Sequence, residues 1–114
     1  MRCVLLVLLF SYCSEKAKPV DESEVYKIKG LAFSQCINEV YPGFEDRYND
    51  GSASGFFQTS NVSIDDLPKI DSLATRHSKK EFLSATKSNL GLMRCLELYN
   101  SQELEKFAIK VSKN

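Results

Sequence analysis

Tryptophan is absent from this chain, histidine occurs once, proline three times, and the charges cancel, with 15 Lys and Arg against 15 Asp and Glu. Each shortage closes a class of function. Zero net charge leaves no long-range field to gather nucleic acid or an anionic membrane surface, and the cationic stretch from Arg76 to Lys87 is cancelled by the rest of the chain. A single histidine, His77, with no partner set by the sequence, reads as a solvated side chain rather than a positioned base. There is no CxxC pair and no Cys/His cluster, which argues against redox catalysis and against a metal site. Gly51-Ser52-Ala53-Ser54-Gly55 lacks the lysine and the strand context of a phosphate loop. Asp65-Asp66 belongs in a helical first turn, where the helix dipole accounts for both carboxylates. No catalytic residue and no cofactor is expected.

Long apolar runs are also missing. The run Val4 to Phe10 is far short of the ~20 residues that span a bilayer. It follows the positive start Met1-Arg2 and precedes small or polar residues (Ser11, Cys13, Ser14) and the charged Glu15-Lys16-Ala17-Lys18. That layout is a secretory signal peptide, taken as residues 1–17, with cleavage after Cys13, Ser14 or Ala17; the alternative is an N-terminal core helix. A lipid anchor on Cys13 is the lesser reading, because bulky Tyr12 stands where a lipobox wants a small residue.

What is present is one domain's worth of chain, residues 18–114, with an ordinary 43% of hydrophobic residues. Without the leader two cysteines remain, Cys36 and Cys95. An even count in an exported chain favours a disulfide over two buried thiols.

The patterning is helical and strand signals are weak. Residues 15–22 read as a linker, after which Ser23 caps a helix reaching about Tyr41. Val25, Ile28, Ala32, Cys36 and Val40 lie on its apolar face, reinforced by Leu31, Phe33 and Ile37. Pro42-Gly43 ends it, and 45–51 is polar and turn-rich. Asp50 caps a short, glycine-weakened helix to Gln58. Ser63 begins a helix to about His77 through Ile64, Leu67, Ile70, Leu73 and Ala74. Asn89 starts another, with Leu92, Met93, Cys95, Leu96 and Tyr99 on one face and Leu98 beside it. Ser101 then caps a terminal helix through Leu104, Phe107, Ala108 and Val111. The expectation is an all-α domain of about four helices. Between the helices, Phe82-Leu83 is an apolar pair framed by Lys79, Lys80 and Lys87. It is either an interface anchor within a polar rim or a fold-back onto the core.

The segment Cys95-Leu96-Glu97-Leu98-Tyr99-Asn100-Ser101-Gln102-Glu103-Leu104 resembles the CLxLYxSxxL signature of immunity proteins for type VI secretion amidase effectors, in the group that protects against the fourth amidase effector family. Cys36 in the first mature helix, the small-residue segment 51–55 followed by aromatics, and the leader are similar too. Glycines stand in 51–58 where a more alanine-rich helix is expected. The resemblance implies a periplasmic, all-helical, usually dimeric protein that blocks a peptidoglycan-cleaving cysteine amidase by steric occlusion. A protruding loop would enter the enzyme's cleft, and a helix of the partner subunit would add to the contact. On this chain the loop maps to 79–88 (Lys79, Lys80, Phe82, Leu83, Ser84, Lys87) and the second surface to 51–58 (Ser52, Ser54, Phe57). Cys36–Cys95 matches the family's intramolecular bridge. The competing function, from a different class, is a small secreted helical carrier of an apolar ligand. Such carriers generally need several disulfides and a hollow core.

Overall fold

A computed structural model describes residues 19–81 and 89–113. Among them there are six α-helices and one 3-10 turn, and no strand: α1 (Glu22–Val40), α2 (Phe44–Tyr48), α3 (Ser52–Thr59), the 3-10 turn (Ile64–Asp66), α4 (Leu67–Ser78), α5 (Gly91–Tyr99) and α6 (Gln102–Ser112). The fold class is therefore all-α, as the patterning indicates, but with six α-helices rather than about four. The helix from Ser63 opens with a separate 3-10 turn, and 45–51 holds an unexpected helix, α2. That helix forms in spite of its polar residues because Phe44 packs on the core. Left-handed residues bound it, Gly43 (φ 83°) and Asn49 (φ 50°), conformations that Gly and Asn adopt most readily.

Helix α1 is the spine. Helices α3, α4, α5 and α6 all pack against it, and α4 also packs on α5. Its cap is Asp21 rather than Ser23: the Asp21 carboxylate accepts the Glu24 N–H at 3.1 Å, two residues earlier than expected. Val25, Ile28, Leu31, Ala32, Cys36 and Ile37 are buried along it. The neighbours contribute Ala53, Val62, Ile70, Leu73, Ala74, Cys95, Leu98, Leu104, Ala108 and Val111 to the same core. The caps of α3 and α5 are Gly51 and Leu90, each one residue after the expected Asp50 and Asn89, while two other starts follow the sequence reading. Ser63 and Asp66 form a capping box, and the Ser101 hydroxyl accepts the Leu104 N–H at 3.2 Å. Ile64, placed on the apolar face by its spacing, is instead 76% exposed on the 3-10 turn.

Two glycines let helices meet closely. A Cβ on Gly30 of α1 would lie 2.6 Å from the Phe56 ring of α3, and one on Gly91 of α5 would lie 1.8 Å from the Val40 side chain. Near Gly91, the sulfurs of Cys36 and Cys95 are bonded, with the two Cα atoms 5.6 Å apart, inside the usual range for a disulfide. Both cysteines are fully buried, so the bridge ties α5 to the spine from within the core.

Polar contacts finish the assembly. Buried Glu24 accepts the Asn61 N–H, holding the connection that follows α3 against the start of α1. Lys29 pairs with Glu105 of α6 at 2.8 Å and lies 4.5 Å from the centre of the Tyr99 ring. Arg76 of α4 makes two hydrogen bonds to the Glu103 carboxylate of α6, at 3.1 and 2.9 Å. Those bonds hold the Glu103 carboxyl below the usual carboxylate range. Among the described residues no buried polar side-chain atom lacks a partner, and no helix is long and apolar enough to cross a membrane.

Candidate functional site

The segment that carries the signature has a physical role at almost every position. Cys95 forms the disulfide, and Leu98 and Leu104 are fully buried. Tyr99 meets Phe33 edge to face at 6.1 Å between ring centres, and Ser101 caps α6. Leu96 is the exception, at 46% exposed. The bridge explains why. With Cys95 turned toward Cys36, the positions one turn away on the same side, Gly91 and Leu98, face inward. Leu92 and Leu96 each follow an inward position by one residue, about 100° round the helix, and so emerge at the surface. Met93 emerges beside them, so Leu92, Met93 and Leu96 form an exposed apolar row rather than the buried face expected of them.

Leu92 joins Phe33, Ile37, Tyr41 and Phe44 in lining an open groove of about 360 Å³ between α1, α2 and α5, with Ser34, Asn38, Asp50 and Ser52 as its polar members. Asp50 accepts the Ser52 N–H at 3.0 Å. That bond, and then the Ser52 hydroxyl, keep its carboxyl below the ordinary range, so it is a fixed negative charge at the start of α3. On α3 itself Ser52 and Ser54 are exposed, whereas Phe57 is half-buried and packs on the core. The close approach between this helix and the spine is made at Gly30 against Phe56, and an added Cβ on Gly51 or Gly55 would meet nothing within 4 Å.

The second group of candidate residues starts where α4 ends. Lys79 is the C-cap of α4, and Lys79 and Lys80 are both exposed. Lys80 is also tied to α5: its carbonyl accepts from Arg94 Nε at 2.6 Å, and its ammonium pairs with Glu97. Phe82, Leu83, Ser84 and Lys87 lie outside the described residues. Lys79 and Lys80 thus stand at the end of α4, while Ser52, Ser54 and Phe57 stand on α3, and both helices are carried by α1. Sequence reasoning did not find Arg94 and Glu97. The available signal was their i, i+3 spacing, which puts both on one flank of α5 beside the inward-facing Cys95.

His77 is half-buried, with Nδ1 3.1 Å from the Leu73 carbonyl one turn back on its own helix. The described residues hold no cluster of His, Cys, Asp and Glu suited to a metal ion.

Taken together, the described residues form a small helical scaffold, locked by one internal disulfide. Residues 27–108 match the family model of Tai4, the type VI secretion system (T6SS) amidase immunity protein. The chain belongs to that family, and the resemblance carried by Cys95 to Leu104 is to the same group of proteins. No curated protein and no solved structure matches the chain.

Proposed function

We propose that this immunity protein acts in the periplasm, after removal of a leader near residues 1–17, by binding a peptidoglycan-cleaving cysteine amidase and closing its cleft sterically. The observation that carries this reading is the family match over residues 27–108, which names an amidase as the target of protection. The protein works by occupancy and not by chemistry. Segment 79–88 is the part that enters the cleft, with Phe82 and Leu83 as apolar anchors and Lys79, Lys80 and Lys87 as the orienting rim. Ser52, Ser54 and Phe57 on α3 form the second contact surface, contributed by the other subunit of a homodimer.

A binding protein that must stop an enzyme gains from a rigid frame, because ordering on association then costs little. The buried Cys36–Cys95 bridge and the helices packed round α1 supply such a frame. The carrier reading finds less support, since the groove beside Leu92 is a surface feature and the space round α1 is filled by side chains.

The test is inhibition of the purified cognate amidase on peptidoglycan, with light scattering of the free protein and of the mixture. Wild-type protein should abolish hydrolysis at stoichiometric ratio. Phe82→Ala or Leu83→Ala should weaken binding by roughly 2 kcal/mol or more, the scale of an interface hot spot. Undiminished hydrolysis in the presence of excess protein would end the occlusion reading, and a strictly monomeric mass would remove the composite surface.

A further inference from the structure

We propose that Arg94 and Glu97 are positioning residues for partner binding, holding the cationic end of α4 in the place from which it meets the amidase. The inference rests on the occlusion reading above and deepens it.

Where the chain leaves α4, the Lys80 N–H reaches the His77 carbonyl at 3.1 Å, closing a turn at an exposed helix end. Two contacts from a different helix then act on the same residue. Arg94 Nε donates to the Lys80 carbonyl at 2.6 Å, which fixes the main chain. Glu97 pairs with the Lys80 ammonium, which fixes the side chain. Both partners are intermediate in exposure, and both contacts lie at the surface. They lie on either side of Cys95, whose sulfur is bonded to Cys36 of the spine. A continuous path of bonds therefore runs from α1 through the disulfide into α5, and from α5 through Arg94 and Glu97 onto Lys80. Lys79, exposed beside it, takes its place from the same anchorage. A guanidinium with several donors in a fixed plane suits the task, since it can hold a carbonyl while staying packed along its stem.

The experiment compares Arg94→Ala, Glu97→Gln and the conservative Arg94→Lys in the full chain. It measures affinity for the amidase, melting temperature and the 13C carbonyl resonance of Lys80. Arg94→Ala should shift that resonance, leave the melting temperature within a few degrees of wild type, and weaken the complex roughly fivefold, the effect of one lost hydrogen bond. Arg94→Lys should recover part of the affinity. Glu97→Gln should weaken binding in the wild-type background, yet add nothing once Lys80→Met has removed its partner. A shifted Lys80 resonance with unchanged affinity would overturn the inference, as would a loss of affinity that merely follows a fall in melting temperature. Lys79→Ala and Phe82→Ala separate this from the reading beneath it. If they weaken the complex while Arg94→Ala does not, only the positioning role falls. If none of the variants affects binding, the occlusion surface itself is misplaced and this role falls with it.

Discussion

Breaking the bond between Cys36 and Cys95 should be among the most damaging small changes that can be made to this fold. The two residues are 59 apart in sequence, and cross-linking a loop of that size restricts the unfolded chain by about 4 kcal/mol in the entropy model. The usual net stability of a domain this size is roughly 5–15 kcal/mol, so the bridge accounts for a large share. At about 4–8 °C per kcal/mol for a domain of up to a hundred residues, the melting temperature should fall by some 15 °C or more. The assay is circular dichroism on the oxidised protein, on the same protein reduced and alkylated, and on Cys36→Ala/Cys95→Ala. Urea titration adds a mechanistic readout. If the bridge acts on the unfolded state, that state expands when it is cut, and the m-value should rise as the midpoint falls. Because both cysteines are fully buried, reductant should reach the bond only through opening of the fold. Native protein should therefore resist reduction until denaturant is added. A melting temperature within a few degrees of wild type for the double variant would refute the reasoning, as would free thiols at both positions in oxidised periplasmic material.

Three further expectations test the packing and the electrostatics. Leu98→Ala should cost 2–5 kcal/mol as a fully buried leucine, whereas Leu96→Ala, at 46% exposed, should stay within about 0.5 kcal/mol; equal effects in urea unfolding would mean that α5 is rotated from its assigned face. Gly91→Ala should destabilise by about 1–3 kcal/mol despite alanine's better helix propensity, because the added carbon meets Val40 at 1.8 Å; a rise in melting temperature would show that α1 and α5 are further apart. Arg76→Ala should cost at most about 1 kcal/mol near neutral pH, since the ion pair with Glu103 is exposed and solvent-screened. The Glu103 carboxyl is held below its ordinary value of 4.5 by folding, so this contribution is complete above that value and lost as pH falls through the lower, folded value. Melting curves of wild type and variant should converge in acid, and a gap that persisted there would point to packing of the Arg76 stem instead.

The spine was legible in the sequence because one helix that buries a full face repeats apolar residues over five turns, and nothing in α1 interrupts them. The caps at Ser63 and Ser101 were legible for a different reason: a hydroxyl at a helix start has one local bond to make, whatever the rest of the fold does. Local signals failed where tertiary contact decides. Helix α2 forms because Phe44 finds the core, which no pattern over five polar-rich residues reveals. Helix α5 carries apolar residues on more of its circumference than it buries. Periodicity alone could not choose between the face holding Leu92 and Leu96 and the face holding Gly91, Cys95 and Leu98. The choice belongs to the disulfide, since a cysteine bonded to the spine must turn inward and carries its neighbours at three and four residues with it. Lys80 was read as a cation for a partner, and its ties to Arg94 and Glu97 come from residues 14 and 17 positions away, beyond any local reading.

The same bridge connects the stability of this fold to its use. A chain of this size carrying one disulfide could place the bond near a terminus, where it would restrain little. Here it joins the C-terminal part of the longest helix to the middle of α5, and α5 in turn holds the end of α4 through Arg94 and Glu97. Rigidity is thus delivered to the point where the chain leaves the helical frame at Lys79 and Lys80. Under the proposed occlusion, the free energy of a complex is what remains after the cost of ordering its contact residues, so prior anchorage of their base would appear directly as affinity. The Cys36→Ala/Cys95→Ala variant should consequently inhibit less than wild type at a temperature where it is still folded, because freeing α5 from the spine loosens the base of the proposed contact segment while α1, α4 and α6 still hold one another. Inhibition and circular dichroism measured on that variant below its melting temperature would separate the two effects. Inhibition lost only together with the helical signal would mean that the bridge serves only the global fold.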